Sequence, residues 1–312
     1  MAKAWEKRRF TAWTEAWTLY ITALHFEALS DAECPLVAYF PSCGGTAEAE
    51  PGPGLAKFFS DPPPSFFKNL GDRHRRTYLA PRATLWLGPA ALFFQSRGLP
   101  YYVVEANAGA GLNLAPELVA PQKGLDATLI AARIGLDPEP LDLSDLAKRR
   151  WLTAGIYPDN VQGILQLDSA IEAVQKRLAA DPNFIQLVAC PTEKAPAFAA
   201  KNIPADDPDV GLLLCNMATT GRMSDAEYAA YGAAVAETLK AWGDRGLWVE
   251  VENVRGETFS TTFQLRVYRV VDGQLKGVVL ASYDTGTAQH SYIDASEAFL
   301  KVGAAAAVKK PK

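Results

Sequence analysis

The run Tyr101-Tyr102-Val103-Val104-Glu105-Ala106-Asn107-Ala108-Gly109-Ala110-Gly111-Leu112-Asn113-Leu114 constrains the fold of this 312-residue chain more than any other stretch. An apolar strand ends on a carboxylate and runs into alternating small residues. This is the pattern in which a parallel sheet meets a nucleotide-type ligand at its edge. Glu105 falls at the carboxyl end of the strand, where ligands of open α/β sheets bind. A Cβ at Gly109 or Gly111 is expected to block close backbone approach to such a ligand. A dinucleotide fingerprint needs Gly-x-Gly-x-x-Gly, and begun at Gly109 it puts Leu114 where the third glycine belongs. A nicotinamide-dependent oxidoreductase is therefore disfavoured.

From Leu99 onward strand and helix signals alternate. Strands are expected over Tyr101–Glu105, Leu129–Leu136, Phe184–Ala189, Val210–Leu214 and Leu247–Val251. Helices are expected over Ser169–Ala179 and from Ser224 to about Trp242, the latter opened by a capping box of Ser224 and Glu227. Phe263–Val271, Asp272-Gly273 and Leu275–Tyr283 give the strongest hairpin signal of the chain. The fold class is α/β: a Rossmann-like sheet, mostly parallel, closed by an antiparallel C-terminal hairpin. Residues 1–98 read as a helical and loop region covering the cleft, and 99–312 as the Rossmann-like domain. In the first region Trp5, Trp13, Trp17, Tyr20, Ile21 and Leu24 recur at helical spacing and predict a packed core stripe. Pro81 and Pro89 bracket an apolar segment, Ala83–Phe94, expected to form a short helix.

Composition narrows the partners. A net charge of −4 and a pI near 5.5 argue against an extended nucleic-acid footprint or a polybasic membrane surface. No apolar run reaches membrane-spanning length, and no leading signal peptide is visible. Cys34, Cys43, Cys190 and Cys215 show no Cys-x-x-Cys pairing and no zinc spacing, so free thiols in a reducing cytoplasm and no metal are the expectation. The ligand expected is a small molecule; the oligomeric state is not encoded in any feature of the chain.

Shifted one step earlier, the glycine run reads Glu105-x-Asn107-x-Gly109-x-Gly111. This resembles the first motif of class I S-adenosylmethionine-dependent methyltransferases, with Asn107 in place of the first glycine; Asn tolerates a positive φ. Over nearly its whole length the chain also resembles an uncharacterised bacterial family placed among class I methyltransferase-like folds. The carriers are Pro35–Ser42, Glu105–Leu114, Gly135-Leu136-Asp137, Pro140-Leu141-Asp142, Trp151–Ala154 and Tyr157-Pro158-Asp159. Relatives show Thr-Asn-Glu where this chain has Thr77-Tyr78-Leu79, and His-Gly where it has Thr285-Gly286. The resemblance implies an S-adenosylmethionine site involving Glu105, Asn107, Gly109, Gly111 and Asn113, and a role for Tyr157 toward substrate. Methylation of a small molecule is the leading expectation, and a catalytically silent binding or regulatory protein of the same fold is the alternative.

Individual residues carry specific roles. Glu105 either shapes the methionine end of the cofactor or caps its own loop. A ribose-binding carboxylate should follow the second strand, where Asp137 and Asp142 compete. No third-strand acid is evident: Cys190 occupies that position, followed by Pro191, Thr192 and Glu193. Asn216, after Cys215, stands at a strand end suited to positioning substrate. In-line methyl transfer needs a general base only when the acceptor arrives protonated. Tyr283 and His290 are weak candidates just past the hairpin, while His25 reads as a core or surface histidine. Arg73, Arg75, Arg76 and Arg82 surround His74 and suit a carboxylate or phosphate, with Arg82 the one assigned to substrate.

Overall fold

The structure is a computed structural model that describes residues 2–6, 8–10, 13–46, 50, 52–76, 78, 82–119, 127–253, 262–284, 289–292 and 299–300; at 2, 82–84, 222, 262, 283–284 and 289–292 it describes the backbone alone. The described helices are α1 (Ala2–Trp5), α2 (Trp13–Ser30), α3 (Gly52–Ser60), α4 (Pro64–Asp72), α5 (Arg82–Gln95), α6 (Pro116–Val119), α7 (Leu146–Ala154), α8 (Val161–Ala180), α9 (Ala195–Asn202) and α10 (Asp225–Trp242). The strands are β1 (Tyr101–Ala106), β2 (Ile130–Asp137), β3 (Gln186–Ala189), β4 (Gly211–Met217), β5 (Gly246–Asn253), β6 (Thr262–Val271), β7 (Gln274–Asp284) and β8 (Gln289–Tyr292). None of the described helices is long and apolar enough to cross a membrane. The chain divides into two compact units, one of Met1–Ala80 with Leu141–Ile171, the other of Pro81–Pro140 with Glu172–Lys312. The first unit thus takes in a segment that the sequence assigns to the Rossmann-like domain.

In the first unit the reason is aromatic packing. Trp151, Leu152 and Ala154 of α7 are buried, and Trp151 meets Phe26 of α2 edge to face at 5.6 Å. Leu24, Phe58, Phe66 and Leu70 complete this core. The expected aromatic stripe of α2 is only partly buried: Leu24 is 2% exposed, but Trp13 and Trp17 are 67% and 48% exposed. The stripe's Trp positions lie on the half of the helix that the core does not reach, and the packed face is instead Leu19, Ala23, Leu24 and Phe26.

Two of the arginines expected to gather an anion, Arg73 and Arg75, are joined to this unit. The Arg73 guanidinium lies 5.3 Å from the Phe26 ring centre and 5.1 Å from that of Trp151. Arg75 donates to the Gly155 carbonyl at 2.9 Å and stands 5.5 Å from the Tyr157 ring. Tyr157 itself is 46% exposed. His25 is a core histidine. Its Nδ1 faces the carbonyls of Ala154 and Ile156 at 3.3 and 3.1 Å, so Nδ1 carries the proton and Nε2 accepts from the Ser42 hydroxyl at 2.8 Å.

The second unit is built on an eight-stranded sheet in the order β3-β2-β1-β4-β5-β6-β7-β8. The five strands from β3 to β5 are parallel, and β6, β7 and β8 continue the sheet antiparallel. The α/β class and the mostly parallel mixed sheet of the sequence analysis are therefore present and compatible with a Rossmann-like fold. The expected hairpin forms with a two-residue turn, Asp272 at φ 52° and Gly273 at φ 72°, the left-handed pair that matches the twist of the strands it joins. Beyond the expected strands, β8 pairs with β7.

Strand alternation sorts the sheet's two faces. Val104, Ala106, Leu212, Leu214 and Trp248 pack with α9 and α10 through Ala199, Val235, Leu239 and Trp242. On the opposite face α5 packs against β4 and β5, and its Phe94 stacks on Tyr101 of β1 at 4.0 Å. Position i and i+2 residues therefore belong to one side, and this decides which end-of-strand groups can meet.

The buried His25 gives a pH prediction. Burial pushes its imidazole below the ordinary 6.5 to about 4, against the opposing hydrogen bonds to Ala154 and Ile156. A depressed cationic acid is neutral in the fold, so its contribution is complete above 6.5 and is lost as pH falls toward 4, by about 3 kcal/mol. Urea unfolding across that window should show this acid loss in the parent chain. His25→Gln should start less stable at neutral pH and lose less on acidification; parallel curves for the two proteins would refute the assignment.

Candidate functional site

The order β2-β1-β4-β5 reverses the winding between β1 and β4, and ligands of open α/β sheets bind at the carboxyl ends of the strands beside such a crossover. A cavity of ≈ 570 Å³ lies there, lined by Asn107 after β1, Thr192 and Glu193 after β3, Ala218 and Thr219 after β4, and Met223, Glu227, Ala230 and Tyr231 at the start of α10. Its size is that of an ordinary small-molecule site. The helix that closes it begins where the sequence says: Ser224 caps α10, accepting from the Glu227 N–H while Glu227 Oε2 accepts from the Ser224 N–H at 2.7 Å.

The glycine loop folds beside this cavity but mostly on the other face. Asn107, Gly109 and Gly111 all take positive φ, at 62°, 60° and 72°. Asn107 is exposed and reaches the cavity. Packing also calls for glycine at Gly111: a Cβ there would meet the Leu187 and Ile185 side chains at 3.0 and 3.1 Å. Gly135 is similarly tight, its Cβ position 2.6 Å from Leu187 and 2.9 Å from Ala108. The loop is thus packed down on β2 and β3.

Glu105 and Asp137 are sealed beneath that loop. Glu105 shares the α5 face with Tyr101 and Val103 and is 1% exposed. Its Oε1 accepts from Asn113 Nδ2 at 3.0 Å, and Asn113 is tied to α5 by the Trp86 indole, which donates to the Asn113 carbonyl at 3.1 Å. Glu105 Oε2 and Asn113 Oδ1 are buried with no hydrogen-bond partner among the described residues. Burial, partly opposed by Asn113 and reinforced by the neighbouring Asp137, raises the Glu105 carboxyl to about 8. Asp137 ends β2 as expected and is wholly buried. Its Oδ2 accepts from the Gly109 N–H and its Oδ1 from the Glu139 N–H, both at 2.8 Å. Asp142 is exposed, belongs to the first unit and caps its own turn by accepting from the Ser144 N–H and hydroxyl.

Asn216 and Cys215 are not among the described residues that line the cavity. Asn216 is fully buried on the α10 face, accepting from the Trp248 indole at 2.6 Å and donating to Glu252 at 3.2 Å. Cys215 is a core residue on the opposite face, its thiol raised well above its ordinary value by burial and by Glu105. Tyr283 and His290 are paired across β7 and β8, but their side chains lie outside the described residues, as does that of Arg82 at the start of α5. Thr77, Leu79, Thr285 and Gly286 also lie outside them. The described residues hold no group of three or more His, Cys, Asp or Glu able to bind a metal.

The sequence reading missed a buried polar cluster beside the cavity. Glu250 and Glu252 of β5 are 0% and 2% exposed and share the α10 face with Trp248. Glu250 accepts from Thr220 Oγ1 at 2.6 Å and Tyr228 OH at 3.0 Å, and pairs with Arg266 at 3.4 Å. Glu252 accepts from the N–H groups of Thr219, Thr220 and Gly221. Burial raises its carboxyl, against these three donors. The alternation Val249-Glu250-Val251-Glu252 was the available signal, two acids on one face of a strand otherwise fit for the core.

Fold and cavity together define an α/β protein whose mostly parallel mixed sheet is compatible with a Rossmann-like fold and carries a small-molecule-sized pocket at its crossover. Residues 115–287 match DUF2332, described as an uncharacterized protein conserved in bacteria, and the chain belongs to that family. No curated protein matches the chain.

Two outcomes follow from the loop. Glu105 is raised from its ordinary value, so the fold favours its neutral form; the stability this gives is complete below the ordinary carboxyl range and lost as pH rises toward 8. Glu105→Gln should flatten this alkaline loss in urea melts between about pH 5 and pH 8, and an unchanged slope would refute the protonated carboxyl. Gly111→Ala should destabilise by about 1 kcal/mol or more, from left-handed strain and the Leu187 and Ile185 contacts. Melting at the parent temperature would show that the loop is not packed as described.

Proposed function

We propose that the chain is an S-adenosylmethionine-dependent methyltransferase acting on a small molecule, with the cofactor held in the crossover pocket. The observation that carries this reading is the pocket's polar chemistry: its described lining contains Glu193 and Glu227 and no Lys, Arg or His. A sulfonium with amino and hydroxyl donors finds acceptors there, whereas a pyrophosphate finds carboxylates facing it. The bound cofactor supplies an electrophilic methyl group. Thr192 and Glu193 accept from ribose-type hydroxyls, the role expected from the sequence for Asp137 or Asp142. Met223, Ala230 and Tyr231 form an apolar wall that excludes water from the transfer. Asn107, the one residue of the glycine motif that lines the pocket, fixes its floor.

A second reading, a binding protein of the same fold that transfers nothing, is favoured by one observation. Glu105 and Asp137, the acids of the motif, are engaged with the loop and not with the pocket. The two readings separate in one assay. S-adenosylhomocysteine at a hundredfold excess over its dissociation constant should stabilise the protein by about 2.7 kcal/mol in thermal melts, and NAD should not. Glu193→Lys should weaken that binding at least tenfold, about 1.4 kcal/mol. No shift with S-adenosylhomocysteine refutes the cofactor assignment. Binding of S-adenosylmethionine without formation of S-adenosylhomocysteine, across a panel of small acceptors, selects the binding protein.

A further inference from the structure

The turn that follows β4 forms the side of the pocket contributed by Ala218 and Thr219. Turns of this kind, with successive N–H groups converging, bind anions in many α/β proteins. Here the donors are directed inward. The Ala218 N–H goes to the Val251 carbonyl at 2.9 Å. The N–H groups of Thr219 and Thr220 go to Glu252 Oε1 and that of Gly221 to Glu252 Oε2, the last two at 2.8 and 3.1 Å. The Thr219 hydroxyl donates to the Met217 carbonyl at 3.0 Å and the Thr220 hydroxyl to Glu250 at 2.6 Å. Ala218 holds a left-handed φ of 51°, which aims the chain into this arrangement. Four successive backbone N–H groups and two hydroxyls at the carboxyl end of β4 are thus committed to the protein's own acceptors.

We propose that Glu252 is a specificity-determining residue: a built-in anion that fills the nest of Thr219, Thr220 and Gly221, so that the pocket meets its ligand with acceptors and selects a cationic or donor-rich group over an anionic one. This rests on the crossover pocket being the ligand site. Glu252 touches no ligand; it acts through the turn it holds. With it in place the charged groups of the described lining are the carboxylates of Glu193 and Glu227, beside the lone pairs of the Thr219 hydroxyl and the neutral amide and hydroxyls of Asn107, Thr192 and Tyr231. Without it, three converging N–H groups become an anion site beside the pocket.

The test uses the full chain with Glu252→Ala, Glu252→Gln and Glu252→Asp, and two probes, acetate and inorganic phosphate, compared with chloride at equal ionic strength. Acetate should raise the melting temperature of Glu252→Ala by several degrees and leave the parent and Glu252→Gln unmoved, because only the alanine variant has both the space and the bare donors. Phosphate should bind Glu252→Ala at least tenfold more tightly than the parent, and Glu252→Asp should restore the parent's indifference. A loss of stability alone would not produce this anion-selective gain. Equal responses of the parent and Glu252→Ala overturn the proposal. If Glu252→Ala folds poorly, its refolding yield in acetate against chloride is the readout, and equal yields overturn it as well. S-adenosylhomocysteine binding is measured on the same proteins. Rescue by acetate with no such binding to the parent refutes the cofactor and keeps the nest; binding without rescue does the reverse.

Discussion

Buried carboxylates that accept from loop N–H groups hold the functional edge of this sheet together. Asp137 ties the glycine loop after β1 to the end of β2 through Gly109, and Glu252 ties the turn after β4 to the end of β5 through Thr219, Thr220 and Gly221. An unpaired carboxylate in such a place would carry a large desolvation penalty, and so would unpaired loop N–H groups. Each satisfies the other. Removing one partner therefore costs more than the bond itself, because the other is left buried and bare. The loops that frame the pocket are held by this mutual dependence.

The pleat of the strands then decides what the pocket can contain. Glu105 and Cys215 share the α5 face, as their neighbouring register and mutual electrostatic influence require. Asn216, Glu250 and Glu252 take the α10 face with Trp248. The cavity opens on the α10 side, so the acid that ends β1 is on the far side of its own strand. Asn107 is where the two sides join: one residue past the strand, in a left-handed conformation, it is free of the pleat and lines the cavity. Motif proximity along the chain is not proximity at the site.

This is also why the fold was more legible than the site. Short apolar runs located β1, β2, β4 and β5 to within a few residues, and Asp272-Gly273 specified its hairpin because that pair supports two successive positive φ values. Ser224 and Glu227 marked the start of α10 by local hydrogen bonding alone. What local signals cannot carry is which loops meet. Thr192, Thr219 and Tyr231 come together through the crossover and through α10 packing, and no spacing in the chain encodes that. The same limit applies to α7, whose Trp151 finds its partner Phe26 across 125 residues of sequence, and to Trp13 and Trp17, whose helical spacing promised a core that stops short of them.

The two buried acids of the glycine loop show how one environment can give neighbouring carboxyls different parts. Asp137 accepts a backbone N–H on each oxygen, from Gly109 and from Glu139. Glu105 has a single amide donor, an oxygen with no partner, and Asp137 nearby, and its affinity for a proton rises accordingly. A proton on Glu105 removes the repulsion between the pair and turns the unpartnered oxygen into a donor. The loop is then held down by the Asp137 carboxyl through its N–H partners and by a protonated Glu105. Its closure depends on pH through Glu105 and on backbone N–H groups through Asp137. The pocket walls are made of other residues, which the ends of the strands and α10 bring together.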